Sequence, residues 1–220
     1  MTHRPLRQAA YLAVPALVLG ALVATPAPAQ AAVDPRPVTV GSGWLADQLT
    51  DGLVHNEQFD FDDYGLSIDV ALGLDAVGGR EADVQAVTDA VADNLTAYTS
   101  YPVAEGKTHV GAGQIAKALH LAQVAGRDGT SYGGQDLVDQ LGDRVTTSGP
   151  AAGRIADVFF PEEPFEADFS NTVGQGFAAQ SFDAAGSALA APTTSYLLAQ
   201  QCDAGFFRGQ LPAKIGRAHV

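Results

Sequence analysis

The sequence predicts an all-α chain built as an α/α toroid, an incomplete barrel of alternating inner and outer antiparallel helices. Three observations predict it. Apolar residues recur at spacings of three and four, as at Val84, Val87, Val91 and Leu95, which is the period of an amphipathic helix. Gly78, Gly126 and Gly186 each follow such a segment, where the left-handed turn that closes a helix favours glycine. Two stretches near opposite ends also repeat each other: residues 44–53 read WLADQLTDGL and residues 196–207 read YLLAQQCDAGFF. A repeat of this kind marks a unit that stacks on copies of itself.

The elements follow in chain order. Residues 1–31 read as a signal peptide, with His3, Arg4 and Arg7 ahead of an apolar stretch over 9–24 and a small-x-small pattern at Ala29, Gln30 and Ala31. Residues 32–42 form a Pro-rich lead-in. Helices are expected over 43–50, 65–77, 82–98, 111–125, 135–142, 172–185 and 193–201, making 43–213 one partial toroid domain. The helices at 65, 111 and 172 are rich in Ala and Gly and nearly uncharged, which suits an inner layer. Those at 82 and 135 carry charge on one face, which suits an outer one. Residues 155–160 abut Pro161 and Pro164 and read as a loop. Gly111, Gly113, Gly174 and Gly176 lack the strand context of a dinucleotide site and read as small residues where helices cross closely. Residues 214–220 read as an adapter-like tail, so the natural chain is expected to continue beyond 213.

The net charge is −13. Losing both ends removes Arg4, Arg7, Lys214 and Arg217 and no acidic residue, which takes it to −17. That balance excludes nucleic acid and anionic membrane as partners, because phosphate binding needs basic patches. It suits a protein that is soluble outside the cell. No permanent membrane span is expected after signal cleavage. The localisation expected is secreted, with cell-surface attachment through the missing C-terminal segment as the variant. Cys202 is the one cysteine, and its partner is expected in that same segment. No cofactor and no metal is expected. On one helix, His109 and His120 would stand about 16 Å apart, too far to share an ion.

The paired motif carries a resemblance. An aromatic, an apolar turn, a Gln, then Asp-Gly resembles the glutamine–tryptophan type repeat of the terpenoid cyclase and protein prenyltransferase superfamily, also called the prenyltransferase/squalene oxidase repeat, here in a secreted actinobacterial style. Trp44, Gln48, Asp51 and Gly52 form one copy; Tyr196, Gln200, Asp203, Gly205 and Phe206 form the other. Leu53 departs from the aromatic place and Ala204 is an insertion. A weaker copy surrounds Gln140. The resemblance implies a structural role for these residues, with the Gln tying a helix end to the next unit. It also implies about six helix pairs in a complete barrel, of which this chain supplies three to four.

The resemblance implies a catalytic candidate as well. Asp60, Asp62 and Asp63 have the Asp-x-Asp-Asp spacing with which class II terpene cyclases protonate an alkene or epoxide. Asp62 would be the acid and the others its support, since clustered carboxylates raise one another's pKa and keep one of them protonated. Tyr64-Gly65 stands where that family has Thr-Ala. The competing reading is capping: Asp63 and Asp168 both precede Ala/Gly-rich helices, and Thr108 stands in a comparable place. A calcium loop starting at Asp60 lacks oxygen ligands at Tyr64 and Ala71. The Gly-x-Ser-x-Gly at Ser131 lacks the strand a nucleophile elbow needs.

Two acidic, aromatic loops are the candidate ligand-binding surface: residues 56–63 with Phe59 and Phe61, followed by Tyr64, and residues 158–168 with Phe165, followed by Phe169. Aromatic faces among carboxylates suit a cation or a sugar; the plainer reading is a solvated rim. The expected function is a non-catalytic extracellular binding or cell-surface module. The alternative is a cyclase-like enzyme. The expected partner is a small-molecule or cell-surface ligand.

Overall fold

A computed structural model describes residues 36–207 and 209–211. The expected signal peptide over 1–31 and the expected tail over 214–220 lie outside the described residues. The first helix, α1 (Arg36–Ala46), takes in most of the expected Pro-rich lead-in. After it come three short strands, β1 (Leu49–Thr50), β2 (Leu53–Asn56) and β3 (Phe61–Asp62), then α2 (Tyr64–Val77), α3 (Glu81–Asp93) and α4 (Leu95–Thr99). A second hairpin, β4 (Ser100–Ala104) and β5 (Lys107–Val110), leads into α5 (Ala112–Val124). The remaining helices are α6 (Leu137–Gly142), α7 (Thr172–Ala184) and α8 (Ala190–Leu198).

The all-α toroid is therefore corrected: the described chain is mixed α and β, with eight helices and two antiparallel sheets of three and two strands. The cause lies in two turns. Thr50 pairs with Leu53 across Asp51 and Gly52, whose φ values are 51° and 82°. Two left-handed residues in a two-residue loop reverse the chain with the twist that flanking strands require. Asp51-Gly52 is thus a hairpin turn and not simply a helix stop. Ala104 likewise pairs with Lys107 across Glu105-Gly106, with Gly106 at φ 71°. Helix period continues at the other expected helices, with two corrections: the helix expected over 43–50 runs from Arg36 to Ala46 and gives way to β1 at Leu49, and 82–98 breaks at Asn94 into α3 and α4.

The core centres on α5. It buries Ala112, Ile115, Ala116, Ala118, Leu119, Leu121 and Ala122, nearly its whole circumference, which is how a helix surrounded by others reads. Helices α2, α5 and α7 pack side by side in that order, and α3, α6 and α8 pack on α2, α5 and α7 respectively. The close approach of α5 and α7 depends on glycine: a Cβ on Gly174 would stand 2.8 Å from the Cα of Gly113. Gln175 is completely buried beside it. Its Oε1 accepts from Ile155 N at 3.0 Å, and its Nε2 donates to Gly153 O at 2.8 Å and Thr193 O at 3.1 Å. One side chain thereby ties α7 to the 153–155 loop and to α8.

The two repeat copies share local chemistry. Gln48 Nε2 donates to Trp44 O at 3.0 Å and Gln200 Nε2 donates to Tyr196 O at 2.9 Å. Each Gln thus secures the last turn of its own helix, where backbone carbonyls lack helical donors. After each comes a left-handed glycine, Gly52 or Gly205. In the second copy the chain folds back through Cys202 N to Phe206 O and a bridge between Gln201 and Phe207. Burial differs: Trp44 is 61% exposed and Tyr196 1%. Asp203 and Phe206 are exposed, and Cys202 is a half-buried free thiol.

Candidate functional site

The β4–β5 hairpin sets Tyr101 directly opposite His109. Their rings stack at 4.6 Å between centroids and 10° between planes. The His109 side chain is 2% exposed, so it needs polar partners. The 157–170 segment supplies them. Two backbone bonds between Val110 and Val158 fix that segment against β5. His109 Nδ1 then lies 3.0 Å from Glu166 Oε2, and Nε2 lies 3.7 Å from Asp157 Oδ2. The second Glu166 oxygen accepts from the Tyr101 hydroxyl at 3.0 Å. Phe169 closes the other flank of His109 at 5.7 Å.

Asp157, with a side chain 3% exposed, holds four partners together. Its Oδ1 accepts from Ala112 N at 2.8 Å and from Ser170 Oγ at 3.0 Å. Its Oδ2 accepts from Phe169 N at 2.7 Å and faces His109. The N-cap of α5, Gly111, offers no side chain; Asp157 caps that helix from 45 residues further along the chain. Asp168 accepts from Asp157 N and Ser170 N and pairs with Arg154, which also donates to Leu211 O.

These contacts set the direction in which several groups shift. Burial pushes the Glu166 carboxyl up, but hydrogen bonds from His109 and Tyr101 outweigh it and hold Glu166 below the usual range. Burial likewise pushes the Asp168 carboxyl up, and hydrogen bonds from Ser170 and Arg154 outweigh it and hold Asp168 below its usual value. Desolvation, then the bond to Glu166, pushes the Tyr101 phenol up.

The cluster lacks the parts of a nucleophilic site. The Ser170 hydroxyl donates to Asp157 and not to His109, so there is no nucleophile–base pair. Both imidazole nitrogens face protein carboxylates. The exposed product of the cluster is Tyr101, 44% exposed, at the edge of an open groove of about 560 Å³. Asn94, Thr96, Pro102, Thr108 and Gln135 line the groove with it.

The Asp-x-Asp-Asp run lies elsewhere, on the first sheet. Asp63 caps α2, its Oδ1 accepting from Leu66 N at 2.8 Å. Asp62 meets His55 Nδ1 at 2.9 Å, and Asp60 stands 3.5 Å from His55 Nε2. The Asp60 side chain is 98% exposed on a left-handed turn residue at φ 53°. The hydrogen bond that His55 donates to the Asp62 carboxylate raises the His55 pKa. No enclosure surrounds Asp60, and protonating an alkene asks for a dry, shaped site. The capping expectation at Asp168 is corrected: Asn171 caps α7, accepting from Gly174 N at 3.0 Å, because Asp168 is engaged with Arg154. Thr108 caps nothing and lies in β5.

Of the aromatic residues expected to bind, Phe169 joins the His109 cluster. Phe59 is 67% exposed, Phe61 46% and Phe165 99%. Tyr64 is half-buried, edge-on to Tyr98 at 6.2 Å. The two loops are anchored on different sheets, one at β2–β3 and the other at β5. Sequence reasoning missed Tyr101, Asp157 and the role of His109. The available signal was a hairpin pattern, with β-forming Tyr101, Val103, Thr108 and Val110 on either side of Glu105-Gly106.

Among the described residues no group of three or more His, Cys, Asp or Glu side chains is placed to hold a metal ion. No described helix is long and apolar enough to cross a membrane. No family model, curated protein or solved structure matches this chain.

Proposed function

We propose that this chain is an exported, non-catalytic binding module whose ligand surface is carried by exposed aromatic side chains on a buried polar support. One observation carries the reading: the buried carboxylates Asp157 and Glu166 face backbone N–H groups, His109 and Tyr101, and not an open cavity. Carboxylates used in this way fix geometry, leaving aromatic and hydroxyl groups as the accessible chemistry. The leader-like pattern over 1–31 and the charge of −13 support an extracellular setting.

Incubating the purified chain with linear polyprenyl diphosphates and their epoxides tests the enzymatic alternative. Unchanged substrate is the expected result. Cyclised product that disappears with Asp62→Asn would establish the cyclase-like reading instead.

A further inference from the structure

We propose that the groove beside Tyr101 is a saccharide site, taking a neutral pyranose unit with its apolar face on the Tyr101 ring. The inference rests on the binding-module reading and adds the ligand class.

The ring is preorganised from beneath. One face lies on buried His109, and the hydroxyl is held by Glu166. The ring therefore cannot turn without breaking a stack and a hydrogen bond, although 44% of the residue is open to solvent. A fixed aromatic plane loses little entropy when a ligand settles on it. It offers a π-face suited to the C–H groups of a sugar ring.

The walls select the rest of the ligand. Around Tyr101 stand Asn94, Thr96, Thr108 and Gln135, all uncharged hydrogen-bonding side chains. Two of them are already oriented. Gln135 Nε2 donates to Thr96 Oγ1 at 3.1 Å, and Gln135 Oε1 accepts from Gln140 Nε2 at 3.1 Å. Thr96 keeps its hydroxyl proton for a ligand oxygen. The wall at Gly133 is fixed by a close approach, since a Cβ there would stand 2.6 Å from Ala92 O. No basic residue lines the groove, and its one charge is Asp93, so an anion is disfavoured. A purely apolar ligand would leave the Thr96 hydroxyl proton without an acceptor and cover the remaining acceptor and donor capacity of the wall amides. A molecule with one apolar face and a hydroxyl-bearing edge satisfies both surfaces. The volume of about 560 Å³ falls in the usual range of small-molecule sites, about 300–1,000 Å³.

Calorimetric titration of the purified chain with cellotetraose, mannotetraose, tetra-N-acetylchitotetraose and trigalacturonic acid tests the proposal. The expected result is saturable binding of at least one neutral oligosaccharide. Tyr101→Ala should weaken it at least about tenfold, and Gln135→Ala should weaken it with an unchanged melting temperature. Phe59→Ser, on the other acidic loop, should leave it unchanged. Absence of binding by any neutral oligosaccharide overturns the saccharide site, as does binding that Phe59→Ser abolishes or that prefers trigalacturonic acid. None of those results produces substrate turnover, so the failure of this inference is distinct from failure of the non-catalytic reading.

Discussion

Asp157 shows how one carboxylate can order a site without entering any chemistry. It satisfies the first turn of α5, a backbone N–H of the 157–170 segment, a serine hydroxyl and one edge of His109. Asp157→Asn keeps the shape but turns an amide N–H toward groups that are donors. The expected loss is about 2–4 kcal/mol, because buried donors lose charge-assisted partners; the denaturant midpoint checks it. Asp63→Ala removes a solvent-facing cap of the same kind and should cost only about 1 kcal/mol. Glu166 and Asp168 give the site an acid dependence of defined sign. Both carboxyls are held below their ordinary values of 4.5 and 3.8, so each contributes stability that is fully present above that value. The contribution is lost as pH falls through the lower folded value. Thermal melts between pH 6 and pH 3 should fall in the wild type, and the slope should be shallower in Glu166→Gln. His55 has the opposite sign. Its folded pKa lies above 6.5, so its contribution is complete below 6.5 and fades as pH rises through the folded value.

At the scale of elements, close approach explains more than propensity does. Gly52 sits at φ 82° with Ala86 O only 2.5 Å from where a Cβ would be, whereas Gly205 sits at φ 89° with only Gln201 Nε2 near that position, at 4.0 Å. Gly52→Ala should therefore destabilise by about 2–4 kcal/mol, adding overlap to backbone strain. Gly205→Ala should cost about 1 kcal/mol from strain alone; paired urea titrations separate the two. Gln175→Leu should lose about 2–4 kcal/mol, since it leaves Ile155 N, Gly153 O and Thr193 O without their partner. Helix positions were legible because three- and four-residue periods run for ten residues or more in α3 and α5. The strands were not, because none exceeds five residues, too few for alternation to stand out against helical pattern. In the sequence, Asp51-Gly52 after the helix expected over 43–50 fits a helix end as well as a hairpin turn, since glycine serves both purposes. Asp63 was legible as a cap because its partner is three residues away. Asp157 was not, because the helix it caps begins 45 residues earlier.

Across the whole molecule, helices α2, α5 and α7 form the packed interior, and the two small sheets carry the loops on which candidate function rests. The aromatic residues expected to bind were found by composition alone; which aromatic is held rigid depended on strand register, placing Tyr101 across from His109. In the proposed module, buried His109, Glu166 and Asp157 hold an exposed tyrosine face for a ligand. The most direct measurement is an amide chemical-shift titration of the isotopically labelled chain with neutral oligosaccharides. Saturable shifts gathered at Thr96, Tyr101, Thr108 and Gln135 are the expected result. Shifts gathered at 56–63, or no shift at saturating oligosaccharide, would contradict it.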